Sequence, residues 1–353
     1  MTGKIVMKLF KIIIVILFIH VINGFSCPAV DQAFEEKRVA ITKAFKVAFD
    51  VSLPDKFEPL AGGFSSPGIY RVLINGKSYV LRLSHPKRTL KDEQRTISCI
   101  EISSKMGLSP KLYYASAEDG IVIMDYIEPK LLSWKELTVP KNLKQLALTL
   151  QKLHVGPRFP EFVTVFDVKR MFERVLGNHK PKLLEELDAS LAEIETLLRK
   201  NKVGHPCHND LKLDNLLFDG KQFWLVDWEG ASQGNPFFDI ATVITFLAMN
   251  ADQEDYFLES YFGKKPTDFQ RSQLGFMKQV VLSYYGTAYL MIAKIRYQLP
   301  PASQDNLALP DAALFIRNHI KNSSSSISSE NIQKFGIVLL NQAFNNIRSM
   351  GKQ

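Results

Sequence analysis

Residues 205–239, HPCHNDLKLDNLLFDGKQFWLVDWEGASQGNPFFD, concentrate the side chains in this chain that do chemistry. His208, Asp210 and Asn215 come first, and a short apolar run then ends in Asp227, Trp228 and Glu229. Two carboxylates and an amide oxygen are the groups that phosphoryl transfer requires. One carboxylate orients and deprotonates an acceptor hydroxyl, while the other two groups hold Mg²⁺ against the phosphate oxygens. Mg²⁺ takes hard oxygen ligands and draws few of them from the protein. On this chemistry Asp210, with His208, is catalytic, and Asn215 and Asp227 are the metal ligands. Each residue taken alone is equally at home in a turn. Their order, their spacing and the apolar strand between them carry the reading.

Asp210 and Asn215 have four residues between them, the interval of the protein-kinase catalytic loop. A nucleotide half is expected upstream. Gly62, Gly63, Ser65 and Ser66 precede the strand candidate IYRVLI, and Asn75-Gly76 turns the chain into a returning strand, SYVLRLS. Backbone N–H groups of a Gly-rich turn approach phosphates closely. Arg82 lies inside the returning strand, either on a solvated face or aimed at phosphates. The helix expected over 89–106 offers Glu93 as its partner, with Glu101 as second choice.

Further helices are expected over 31–50, 141–154, 181–200 and 269–298, each from an apolar stripe at helical spacing. The last carries Tyr284, Tyr285 and Tyr289. Asp239 is expected at the N-cap of an apolar helix, IATVITFLAM. His154 reads as structural. SSSSISSE, 323–330, reads as a flexible linker before a final helix over about 331–349.

The 353 residues carry 44 Lys+Arg against 36 Asp+Glu, a formal charge of +8. The excess is spread along the chain with no basic block, so it gives no argument for nucleic acid. Cys27, Cys99 and Cys207 are odd in number and match no metal-ligand spacing, so no disulfide framework is expected. Lys4, Lys8 and Lys11 precede an apolar run, 12–22, that resembles a secretory signal and is short for a membrane span. Export, a retained anchor and a start codon assigned too early all remain open for residues 1–27. A need for ATP argues for the cytoplasm, and any membrane contact is expected only through this segment.

CHNDL (207–211), LVDWEGA (225–231), NPFFDIA (235–241) and Arg82 in YVLRL together resemble the choline/ethanolamine kinase-like branch of the aminoglycoside phosphotransferase superfamily. The resemblance covers about residues 60–298. It implies an α+β, protein-kinase-like fold, with a small antiparallel-sheet N-lobe (28–128) and a larger, mainly helical C-lobe (129–322), followed by the 323–353 tail. It implies ATP and Mg²⁺ as cofactors and the hydroxyl of a small amino alcohol, choline or ethanolamine, as acceptor. It makes Asp210 the base, Asn215 and Asp227 the Mg²⁺ ligands, Glu229 a further acidic residue near metal or substrate, and Asp239 the brace of the catalytic loop. Met124 and Tyr126, on the strand leaving the sheet, would meet adenine. Trp228, Tyr284, Tyr285 and Tyr289 are the candidates for an aromatic box around a quaternary ammonium.

The chain departs from the family pattern at three places. In Gly62-Gly63-Phe64-Ser65-Ser66 the Asn that often ends the family's G-G-x-T/S-N turn is lacking, Gly230 stands where Tyr is frequent, and no Asp separates Asn235 from Pro236. These bear on the acceptor. Thiamine, an aminosugar or an aminoglycoside is the alternative acceptor, and an inactive kinase-fold binding module is the alternative from another class.

Overall fold

The computed structural model describes residues 34–60, 68–85, 88–161, 164–200, 204–302, 309–319 and 329–350. The signal-like segment 1–27, the Gly-rich turn with Gly62, Gly63, Ser65 and Ser66, and most of the Ser-rich linker lie outside these residues. No described helix is long and apolar enough to cross a membrane.

The chain divides into two compact units. The first runs to Pro129 and takes back Trp224–Glu229; the second holds Lys130–Phe223 and Gly230–Gln353. This differs from the expected boundaries in two ways. The segment carrying Asp227, Trp228 and Glu229 belongs with the sheet, because Leu225 donates its N–H to Leu108 O (2.8 Å). The helix Ser329–Met350 is part of the helical unit and packs along Asp268–Tyr297.

The first unit is built on a five-stranded antiparallel sheet in the order β1-β2-β3-β5-β4. Its strands are β1 (Lys56–Pro59), β2 (Gly68–Ile74), β3 (Lys77–Leu83), β4 (Leu112–Ser116) and β5 (Ile121–Asp125). Strand β1 was not foreseen, since Pro54 and Pro59 hide it. It is an edge strand, where proline is tolerated. Asn75 (φ 49°) and Gly76 (φ 77°) make the β2–β3 turn, both in the left-handed region that two-residue hairpins demand. Tyr70, Val72 and Ile74 of β2 and Tyr79, Leu81 and Leu83 of β3 form a core with Ile41, Ala44 and Phe45 of the Arg38–Phe49 helix. Alternation along β3 sends Arg82 to the opposite face.

Thr89 caps the Leu90–Lys105 helix by accepting the Asp92 N–H at 3.2 Å. The cap fixes the start of the helix and places Glu93 in its first turn.

In the second unit the long helix Asp268–Tyr297 crosses Ser329–Met350 at two glycines. A Cβ on Gly286 would lie 2.8 Å from Leu340 Cγ and 3.0 Å from Gly336 O, and one on Gly336 would lie 2.9 Å from Gly286 O. Only glycine permits this approach, and it sets the rotation of the helix face that carries Tyr285. The apolar helix after the catalytic stretch spans Pro236–Phe246, with Asn235 as its N-cap and the Asn235 Oδ1 accepting the Phe237 N–H at 3.0 Å. Asp239 is therefore inside the first turn and not the cap. Its carboxylate is free of capping duty.

Candidate functional site

The catalytic stretch begins with the strand His205–Cys207, paired antiparallel with Ser232–Gly234. The loop that follows is hung on Asp239. Asp239 Oδ2 accepts the His208 N–H at 2.8 Å, and Oδ1 accepts the Asn209 N–H at 2.7 Å. His154 Nε2 donates to the same Oδ2 at 3.0 Å, and its Nδ1 meets the Tyr261 hydroxyl at 2.8 Å. Asp239, His154 and His208 are all buried. A buried carboxylate that accepts several charge-assisted bonds fixes backbone direction strongly. His154 is thus structural, as expected.

His208, expected to be catalytic, has no exposed surface, and its main-chain N–H is held by Asp239. Asn209, which the sequence reading passed over, has φ 61°. Asn tolerates this left-handed conformation better than most residues. Its side-chain amide donates to Gly230 O and Ser232 Oγ, both at 3.0 Å. The kink at Asn209 delivers Asp210 to the surface of the loop.

Asp210 keeps about a quarter of its side chain exposed. Three donors hold it. Tyr285 Oη donates to Oδ1 at 2.9 Å. Asn215 Nδ2 donates to Oδ2 at 2.9 Å and to the Asp210 main-chain oxygen at 2.7 Å. Lys212 Nζ also pairs with Oδ2. The Asn215 amide is turned so that its nitrogen serves Asp210. Neither Lys212 nor the Tyr285 hydroxyl was singled out for this role from sequence. The spacing of Lys212, two residues after Asp210, was visible, but its direction was not.

The tyrosines expected in an aromatic box resolve into different roles. Burial and the charge of Asp210 push the Tyr285 phenol well above its ordinary pKa, so it stays a proton donor to the carboxylate. Burial likewise raises Tyr284 and Tyr289. Tyr285 and Tyr289 are each only 5% exposed, and Tyr289 packs on Phe335 with ring centroids 4.9 Å apart. Neither presents a face to a ligand. Tyr284 is half-buried, between Phe172 and Phe238, each 5.3 Å away. Trp228 is 2% exposed and donates its indole N–H to Leu225 O at 3.1 Å, in the sheet unit. It is a core residue and not part of a box.

The sheet unit carries the other group of candidates. Arg82 is not on a solvated face: it is 9% exposed, and its Nη1 pairs with Glu93 Oε1 at 2.7 Å. Glu93, not the exposed Glu101, is therefore its partner. Arg82 Nη2 pairs with Glu229 Oε1 at 2.8 Å. Burial disfavours the Arg82 cation, but Glu93 and Glu229 outweigh it and raise its pKa. Burial also opposes the Glu93 carboxylate, yet the Arg82 and Arg88 cations hold its pKa down at about 2. Glu229, expected near metal or substrate, is instead held by Arg82 and, at 2.8 Å from Oε2, by Arg88 Nη1. Its main-chain oxygen accepts Arg95 Nη2 at 2.6 Å. Arg88 and Arg95 were missed, because nothing in a helix-start sequence shows that two arginines converge on a residue more than 130 positions away.

Asp227, two residues before Glu229, has φ 65° and is half-buried. Met124 lies buried in β5. Tyr126 follows β5, with the Arg71 guanidinium 4.5 Å from its ring centroid. The two described thiols, Cys99 and Cys207, are both buried. Burial pushes Cys99 up to about 12 and raises Cys207 well above its ordinary value.

The family model of the phosphotransferase enzyme family (APH) matches residues 56–271, more than half of the chain and every described candidate except Tyr284, Tyr285 and Tyr289. The chain belongs to that family. Among curated relatives it is 26% identical over 209 residues to protein LicA of Haemophilus influenzae, across 57% of this chain and 61% of the relative's length. It thus spans about three-fifths of that relative. Among solved structures it is similar to a choline/ethanolamine kinase family protein from Mesorhizobium loti, with TM-score 0.63, 17% identity, and coverage of 90% of this chain and 99% of that one. It is also similar to choline kinase LicA from Streptococcus pneumoniae, with TM-score 0.61, 17% identity, and coverage of 89% and 99%. These likenesses show the fold. It is the α+β, protein-kinase-like one, with a small antiparallel sheet and a larger helical unit.

Proposed function

We propose that the protein transfers the γ-phosphoryl group of ATP to the hydroxyl of a small amino alcohol, choline or ethanolamine. The observation that carries the reading is the Asp210 carboxylate. It is partly exposed on its loop and fixed by Tyr285, Asn215 and Lys212, as a base that orients a hydroxyl must be. Family membership supports the reaction class, and the likeness to choline kinase LicA from Streptococcus pneumoniae supports the acceptor.

Asn215, through its amide oxygen, and Asp227 would hold Mg²⁺; hard oxygen donors of this kind fit that ion. The bound metal would offset charge on the phosphate oxygens. Asp210 would accept the hydroxyl proton as the acceptor oxygen attacks. Tyr285, kept protonated, would hold the carboxylate in one orientation through the turnover. Arg82 would serve the nucleotide phosphates, with the Gly-rich turn of Gly62, Gly63, Ser65 and Ser66, and the chain at Met124 and Tyr126 would meet adenine.

A panel of choline, ethanolamine, thiamine, an aminosugar and an aminoglycoside, read as Mg²⁺-dependent ADP release, tests this. Release with choline or ethanolamine is expected. Release with only another class would overturn the acceptor, and no release with any would overturn the activity and favour the inactive-module alternative.

A further inference from the structure

Arg82 and Glu93 do not stand alone. Arg82 bridges Glu93 (2.7 Å) and Glu229 (2.8 Å), and Arg88 bridges the other oxygens of the same two carboxylates, Glu93 at 2.9 Å and Glu229 at 2.8 Å. Four side chains close a ring of alternating charge, neutral in sum and shut away from solvent. Its most exposed member keeps 13% of its side-chain surface. Arg88 meets the carboxylates as ion pairs, while its Nη2 makes a directed hydrogen bond to Thr96 Oγ1 at 2.7 Å. That bond anchors Arg88 on the Leu90–Lys105 helix that also carries Glu93.

The ring poses a problem for any anion that needs Arg82. Both Nη groups of Arg82 are already committed to carboxylates. If Arg82 were their sole cation, drawing it toward a phosphate would strand two buried negative charges, which is strongly unfavourable. Arg88 removes that cost, because each carboxylate keeps one oxygen on Arg88 whichever way Arg82 turns.

We propose that Arg88 is a positioning residue for the nucleotide: it holds Glu93 and Glu229 so that Arg82 can be shared with the ATP phosphates. This rests on the reading of Arg82 as the phosphate-facing cation. Arg95, on the Glu229 main-chain oxygen, steadies the same turn. A lysine at position 88 restores the charge but not the fork that spans two carboxylates.

The test is ATP–Mg²⁺ affinity by calorimetric titration of the full chain, with no acceptor present, alongside steady-state KM and kcat, for wild type, Arg88→Met and Arg88→Lys. Arg88→Met is expected to weaken ATP binding about tenfold or more, and to raise KM for ATP by a similar factor with kcat and the acceptor KM little changed. Arg88→Lys should recover part of that loss. If Arg88→Met fails to fold, Arg88→Lys carries the test, with a several-fold weaker ATP affinity expected. Folded variants that bind ATP like wild type would overturn the role of Arg88 and leave the kinase reading intact. A wild type that binds no ATP would overturn both. A wild type that binds ATP but phosphorylates no amino alcohol would overturn only the acceptor, since the affinities still score Arg88.

Discussion

The catalytic loop and the arginine ring hold their carboxylates by opposite means. At the loop, Asp239 is buried and spends its oxygens on the His208 and Asn209 N–H groups and one imidazole, so that Asp210, next in the chain after Asn209, keeps a partly exposed carboxylate. Asp210 itself takes one hydroxyl, one amide and one ammonium. At the ring, both carboxylates are matched by guanidinium groups, and little of either is left to solvent. The first arrangement fixes backbone so that one functional group stays available. The second neutralises charge so that a cation can be buried without being locked. A base must reach a proton; a phosphate-facing cation must be released from its resting partners.

Breaking the loop should give the larger effect. Asp239→Ala strands the His208 and Asn209 N–H groups and the His154 imidazole in a fully buried place. We expect a loss of about 3–5 kcal/mol of stability by urea denaturation, with turnover lost in whatever fraction remains folded. A change near zero would mean that the loop is supported from elsewhere.

The ring is sharpened by pH. The Glu93 carboxyl has its pKa lowered in the folded protein, to about 2 from an ordinary 4.5. Its contribution is therefore fully present above about pH 4.5 and is lost as pH falls toward 2. Unfolding free energy of wild type should drop across that window by on the order of 2–3 kcal/mol through this group. Glu93→Gln has no such proton to bind, so its curve should be flatter there and lower at neutral pH. Parallel curves for the two proteins would contradict a charged, closed ring.

How much of this the sequence disclosed follows the range of each interaction. Asp210 and Asn215 were legible because six consecutive positions of one loop carry both. Glu93 was legible because Thr89 caps its helix and sets its place in the first turn. The two strands flanking Asn75-Gly76 and the long helices were legible from local periodicity. Arg88, Arg95 and the commitment of Glu229 were not, since they meet only once the segment Trp224–Glu229 has joined the sheet unit. The tyrosines were legible as a group but not in their roles. Which of them reaches Asp210 is set by the Gly286–Gly336 crossing, between helices that helical spacing alone cannot align. Asp239 was read as a cap because it precedes an apolar run. Asn235 and Pro236 start the helix one turn earlier, as asparagine caps and first-turn prolines do.

The central claim is that Asp210 is the base. The most direct measurement is kcat of Asp210→Asn with the amino alcohol that supports ADP release, beside its ATP affinity. The account predicts kcat down by about 10²–10⁴-fold with ATP affinity near wild type, because the nucleotide-side cation belongs to the ring and not to the loop. A variant that turns over at the wild-type rate would contradict it.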